Sequence, residues 1–288
     1  MWALLAFLSA VSKGLSPIAV RQISGLSAVR TSTYAQYWAA LLIFPAFLLV
    51  EIPLTLDFIA PTLITTVLNL VATVLLISAI QKGEVSWVLP FLALTPALII
   101  VTEYFIRGDI VSQESLIGIL IIVAGSLFIG SNSLKEVIVL KGAHRAISDP
   151  NVLKVIGVAV LYSVSSVYDK NATLASDPIT FVWVAIMLKA LAFMGIVKAG
   201  SLFGGKKSVS LSRKQTYIFC LIGALIIGEA FFQMWAIVSA NASEVLAIKR
   251  LSVGITAILG FIVLGEKATL YKVIGIALMI AGSISVYQ

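Results

Sequence analysis

Ten apolar stretches, each bounded by charged or turn-forming residues, follow one another along the chain, at about residues 2–20, 34–50, 58–80, 85–106, 116–130, 153–172, 179–197, 217–238, 245–264 and 270–287. The boundaries are sharp. Glu51 and Pro53 close the second stretch, Gln81-Lys82-Gly83-Glu84 joins the third to the fourth, and Arg107-Gly108-Asp109 ends the fourth. A polar segment, 131–150, separates the fifth stretch from the sixth, and a Gly/Ser/Lys segment, 204–214, separates the seventh from the eighth. Runs of this length predict helices that cross a hydrocarbon core about 30 Å thick. A membrane β-barrel would instead show short segments of alternating polarity.

The pattern repeats. Sliding the sequence along itself by 157 residues brings Ser243 onto Ser86, Gly265 onto Gly108, Glu266 onto Asp109 and Gly275 onto Gly118, and Ala281-Gly282-Ser283 onto Ala124-Gly125-Ser126. A unit with five crossings, repeated once, places its second copy upside down in the membrane. The expected fold is an all-α integral membrane protein, ten transmembrane helices arranged as two inverted five-helix repeats. Residues 1–130 and 151–288 form the repeats and 131–150 the connector. Such repeats commonly frame a midplane site for alternating access.

Composition agrees: 60% of the residues are hydrophobic and 11% charged, against roughly 25% charged in soluble domains. The net charge of +7 is read as the excess of Lys and Arg on cytoplasmic loops, not as a nucleic-acid surface. The connections after odd-numbered spans carry most of it, with Arg21, Arg30, Lys82, Lys135, Lys141, Arg145, Lys206, Lys207 and Lys267 among them. That count places those connections in the cytoplasm and both termini outside. The first span follows Met1 with no basic region or small-residue cleavage site, so it reads as a retained helix. In the connector, Leu134, Val137, Ile138 and Lys141 recur at helical spacing, as in a surface-lying helix. Cys220 reads as a packing residue and His144 as a surface residue. No metal, cofactor or enzyme motif is expected.

Ionisable residues within spans are the informative ones, since each costs roughly 2.5–3.5 kcal/mol at mid-helix. Lys13, Lys189 and Glu229 fall near span centres, and Lys249-Arg250 a turn or two inside the ninth span. Glu103 and Arg107 read as an i,i+4 ion pair, and Asp169-Lys170 as a span end whose side chains snorkel to the interface. The deep cations are opposed chiefly by Glu229. A cavity with surplus positive charge suits an anion, and Arg beside Lys suits a carboxylate or phosphate. Glu229 either neutralises a lysine or accepts a coupling proton. Gln233, Trp235, Tyr168, Asn69, Tyr37 and Trp87 are uncharged candidates for a pocket wall, although Trp and Tyr also anchor at membrane interfaces. Pro90 and Pro96 predict a kinked fourth span beside the cavity. Gly118 with Gly125 and Gly275 with Gly282 each share a helix face suited to close packing.

These features together resemble the drug/metabolite transporter superfamily, specifically its ten-helix EamA-type members. The resemblance rests on the paired five-span repeats, the Gly-acid turns at Gly108-Asp109 and Gly265-Glu266, Pro96 thirteen residues before Asp109, and the glycines of the last span in each repeat. Asp109 stands where the family usually has glutamate, and Val253 where the second repeat would have proline. The resemblance implies secondary transport of small metabolites through a cavity lined largely by spans 3, 4, 8 and 9. It also implies cytoplasmic termini, against the charge count. Lys249-Arg250 looks like the Lys-Arg pair that binds substrate phosphate in plastid phosphate translocators. The expectation is a transporter in the cell membrane, surrounded by lipid, monomeric or homodimeric. Its substrate is a small anionic or zwitterionic metabolite held by Lys249 and Arg250, with a coupling proton or counter-substrate completing the cycle. The alternative is a proton-coupled exporter of amino acids or cationic drugs that uses Glu229.

Overall fold

A computed structural model describes residues 1–130, 148–202, 211–265 and 269–287. Every regular element among them is helical. The first repeat comprises α1 (Trp2–Arg21), α2 (Ala28–Ile43), α3 (Leu56–Lys82), α4 (Val85–Val88), α5 (Leu94–Arg107) and α6 (Gln113–Gly130). The second comprises α7 (Pro150–Leu174), α8 (Pro178–Leu202), α9 (Arg213–Ile237), α10 (Ala242–Lys249), α11 (Leu251–Val263) and α12 (Leu270–Tyr287). A 3₁₀ turn, Phe44–Leu49, prolongs α2, and another, Leu89–Ala93, joins α4 to α5. Among the described residues nine helical spans are long and apolar enough to cross a membrane, and α6 is a shorter apolar helix.

Local chemistry accounts for the ends. Ser27 caps α2 by accepting from the Arg30 N–H at 3.4 Å. Ser212 and Gln215 form a capping box that starts α9. Gly108 ends α5 in the left-handed region at φ 74°, where its N–H donates to the Tyr104 carbonyl. Gly265 takes the same conformation, φ 67°, after α11, so the turn is duplicated along with the helices. Its partner acid Glu266 lies outside the described residues, as do Lys267, Lys206, Lys207 and the connector positions Leu134, Lys135, Val137, Ile138, Lys141, His144 and Arg145.

The inversion is visible where α6 meets α12. A Cβ on Gly118 would lie 2.7 Å from the Gly282 carbonyl oxygen, and one on Gly125 the same distance from that of Gly275. The early residue of one helix thus faces the late residue of the other. Two equivalent helices therefore run antiparallel, which requires opposite orientations of the repeats. Backbones approach this closely only over glycine. The other contacts interchange in the same way: α3 packs on α7 as α9 packs on α1, and α5 on α7 as α11 on α1.

The fourth span of each repeat is interrupted at the same register. Leu89–Ala93 is a 3₁₀ turn in the first, where Pro90 has no N–H to continue an α-helix. In the second, α10 stops at Lys249 and a tight turn at Arg250 leads into α11, with the Val253 N–H donating to the Arg250 carbonyl at 2.9 Å. Pro96 does not itself kink the span: it sits in the first turn of α5, where a missing N–H costs little.

Candidate functional site

Between the repeats lies a cavity of about 170 Å³, walled by α1, α2 and α3 from the first and by α7, α8, α9 and α10 from the second. Seven of the eleven deep charges and pocket-wall candidates singled out in the sequence line it: Lys13, Asn69, Lys189, Glu229, Gln233, Lys249 and Arg250. Arg250 does so from the turn that breaks the ninth span. Tyr37, Trp87, Tyr168 and Trp235 do not: Tyr37 is exposed, and the Trp87 indole N–H donates to the Asp149 carboxylate at 3.0 Å, away from the cavity. Tyr168 faces a separate groove with Arg107 and Asn171, and Trp235 is 44% exposed on the outer face against the Phe231 ring. Each of these last two lies on the far side of a helix whose inner face carries the polar residues.

Glu229 is the hub of the cavity. One oxygen accepts from Lys249 at 2.7 Å and Lys13 at 3.0 Å, and the other from Lys13 at 3.2 Å. Ser9 anchors the Glu229 carbonyl at 2.9 Å, fixing α9 on α1. The amide oxygen of Gln233, one turn further along α9, also accepts from Lys249. Lys13 in addition lies 5.7 Å from the Tyr162 ring centre. Lys249 is therefore held between two residues of α9.

Arg250 has a different setting. It is 2% exposed, its Nε has no hydrogen-bond partner, and no ion pair reaches its guanidinium among the described residues. Gln36, which lines the same cavity, has a buried amide oxygen without a donor. Unsatisfied buried polar atoms of this kind are costly unless something fills them.

Asp169 is the residue that sequence reading missed. It does not snorkel at a span end, because α7 runs on to Leu174 and leaves Asp169 buried on the cavity wall. Thr65 donates to its carboxylate. Thr65 is in turn bonded to Ser165 at 2.7 Å, and the Asn69 amide donates to Thr65 at 2.9 Å and to Ser165 at 2.7 Å. The charge balance changes accordingly. Four cations, Lys13, Lys189, Lys249 and Arg250, face two acids, Asp169 and Glu229, so the wall carries 4 − 2 = +2 when all are ionised. The surplus is smaller than the sequence suggested, but its sign holds.

The neighbouring Lys170 points the other way, into a second polar cluster. It bonds Glu103 and Asp109, each at 3.3 Å. Glu103 is fully buried and accepts from the N–H groups of Ala242 at 2.8 Å and Ser243 at 3.2 Å, and from the Ser243 hydroxyl at 2.9 Å. It thus caps α10 and opposes the positive end of its dipole. The expected Glu103–Arg107 pair is not formed: Arg107 instead bonds Asp109 at 2.8 Å and the Asn171 amide oxygen. Burial works against ionisation of Asp109, but bonds from Arg107 and Lys170 outweigh it and hold the carboxyl below its ordinary range.

The fourth span of the first repeat contributes nothing to the cavity wall. Its counterparts to Lys249 and Arg250 are Leu92 and Ala93 (shift 157), which are buried at 3% and 1% in the packing around α4. The site is thus asymmetric on a symmetric scaffold. Only the second repeat puts charge at its helix break.

The fold and the sequence agree on the family. The model of the EamA-like transporter family matches residues 1–131 and 150–288, so the chain belongs to that family and is a multi-pass membrane transporter. No curated protein matches it. A solved crystal structure shares the fold with a TM-score of 0.72, covering 99% of this chain and 95% of its own, at 14% identity.

Proposed function

We propose that the protein is a secondary transporter of the cell membrane that moves a small anionic or zwitterionic metabolite by alternating access. Arg250 is the principal anion receptor in this reading. The observation that carries it is the state of Arg250: a guanidinium buried on the cavity wall, its Nε unsatisfied, beside a wall with net positive charge. A carboxylate or phosphate would satisfy it in a bidentate manner. Lys249, already held by Glu229 and Gln233, positions the turn that presents Arg250 and adds to the field. Gln36 offers an acceptor to a hydroxyl or ammonium on the same substrate.

The exporter of cationic substrates is the weaker reading, since both Glu229 oxygens are engaged by lysines. A thermal-shift screen of the purified full-length protein against small carboxylates, phosphates and amines tests the choice. Ligands of the folded state raise its melting temperature. Carboxylates or phosphates should stabilise, and Arg250→Ala should abolish the shift. Hits confined to amines and unaffected by Arg250→Ala would refute the proposal.

A further inference from the structure

We propose that Asp169 is the carboxyl that takes up and releases a proton during transport, and that the Thr65–Ser165–Asn69 chain is arranged to serve both of its charge states. The inference rests on the transport reading and names the group through which a proton would enter it.

The two acids of the cavity have unlike surroundings. Glu229 is bonded by two ammonium groups. Asp169 has no ion pair among the described residues, and its hydrogen-bond partner is the neutral Thr65 hydroxyl. The charged groups facing it are Lys189 from α8 and Lys249 from α10, which act on it through the cavity. Lys13 from α1, Glu229 from α9 and Arg250 complete the same wall, α3 brings the neutral Thr65 and Asn69, and on α7 itself Tyr162 shares the cavity while Lys170 bonds Glu103 and Asp109.

The hydroxyl chain works in either direction. With Asp169 ionised, the Thr65 O–H donates to the carboxylate, and the Thr65 oxygen accepts from Ser165 and Asn69. When a proton adds to the carboxylate, the new Asp169 O–H donates to the Thr65 oxygen and the Thr65 hydrogen turns to Ser165. Asn69 donates to both hydroxyl oxygens throughout. The Ser165 hydrogen, released from Thr65, turns into the cavity that Ser165 lines; no heavy atom moves, and the Thr65 and Ser165 oxygens stay bonded in both states. A carboxyl that served only as a fixed counterion would need no reversible chain.

The test is an infrared titration of the full-length protein in lipid vesicles from about pH 8 to about pH 5, following the carbonyl stretch of protonated carboxyl groups. A band should grow on acidification in the wild type, disappear in Asp169→Asn, persist in Glu229→Gln and shift its midpoint in Thr65→Val. A band that survives Asp169→Asn, or one lost in Glu229→Gln, would overturn the proposal. So would a midpoint unmoved by Thr65→Val, a variant that keeps the carboxyl and changes only its partner. The titration uses no substrate, so its outcome is separable from anion binding at Arg250.

Discussion

Lys249 and Glu229 meet at 2.7 Å across the cavity wall, linking the broken ninth span to the eighth. Because Glu229 also holds Lys13 from the other repeat, one carboxylate ties three helices together. Removing it leaves two ammonium groups facing each other in a site with little water. Glu229→Gln should therefore lower stability by about 3 kcal/mol, read by unfolding in detergent. The double variant Glu229→Gln/Lys249→Met should recover part of that loss, since it removes one of the two stranded charges. Strict additivity of the single changes would contradict the pairing.

The crossing of α6 and α12 depends on absent side chains. A Cβ at Gly118 would already sit 2.7 Å from the Gly282 carbonyl oxygen and 2.6 Å from the Val286 side chain. Gly118→Leu should destabilise the protein by about 2 kcal/mol or more through overpacking. Gly157→Leu, at a position with open space around it, should cost much less. Comparing the two in the same unfolding assay separates close packing from loss of glycine as such.

Asp109 supplies a pH dependence. Its folded-state carboxyl lies below the ordinary value of 3.8 because bonds from Arg107 and Lys170 outweigh its burial. The stability it contributes is fully present above the unfolded value and is lost as pH falls through the lower, folded one. Melting temperature should thus fall on acidification below about pH 4, and Asp109→Asn should flatten that part of the profile. An unchanged slope in the variant would remove Asp109 from the account.

Much of this was legible in the sequence, for physical reasons. Ten apolar runs and an ungapped repeat leave few other folds, and the spacing of Gly118 and Gly125 against Gly275 and Gly282 carried the helix crossing. Buried charge was also visible, since Lys13, Lys189, Glu229, Lys249 and Arg250 stand out against apolar neighbours and all five line one cavity. Pairing was not. Glu103 and Arg107 are four apart on one helix, yet Glu103 turns to the start of α10 and Arg107 to α7. Such partners come from packing between helices, which local spacing does not encode. Asp169 was hidden by a misplaced span end. Because α7 continues to Leu174, the adjacent Asp169 and Lys170 fall on different faces, one toward the cavity and one toward Glu103.

The account stands or falls on the anion and Arg250. The most direct measurement is calorimetric titration of the full-length protein with the strongest carboxylate from the screen and with its uncharged methyl ester, in wild type, Arg250→Lys and Arg250→Ala. The account predicts that the acid binds and the ester does not. It also predicts that affinity falls at least about tenfold in Arg250→Ala, equivalent to about 1.4 kcal/mol, with Arg250→Lys in between. Equal binding of acid and ester, or an affinity unchanged in Arg250→Ala, would contradict it.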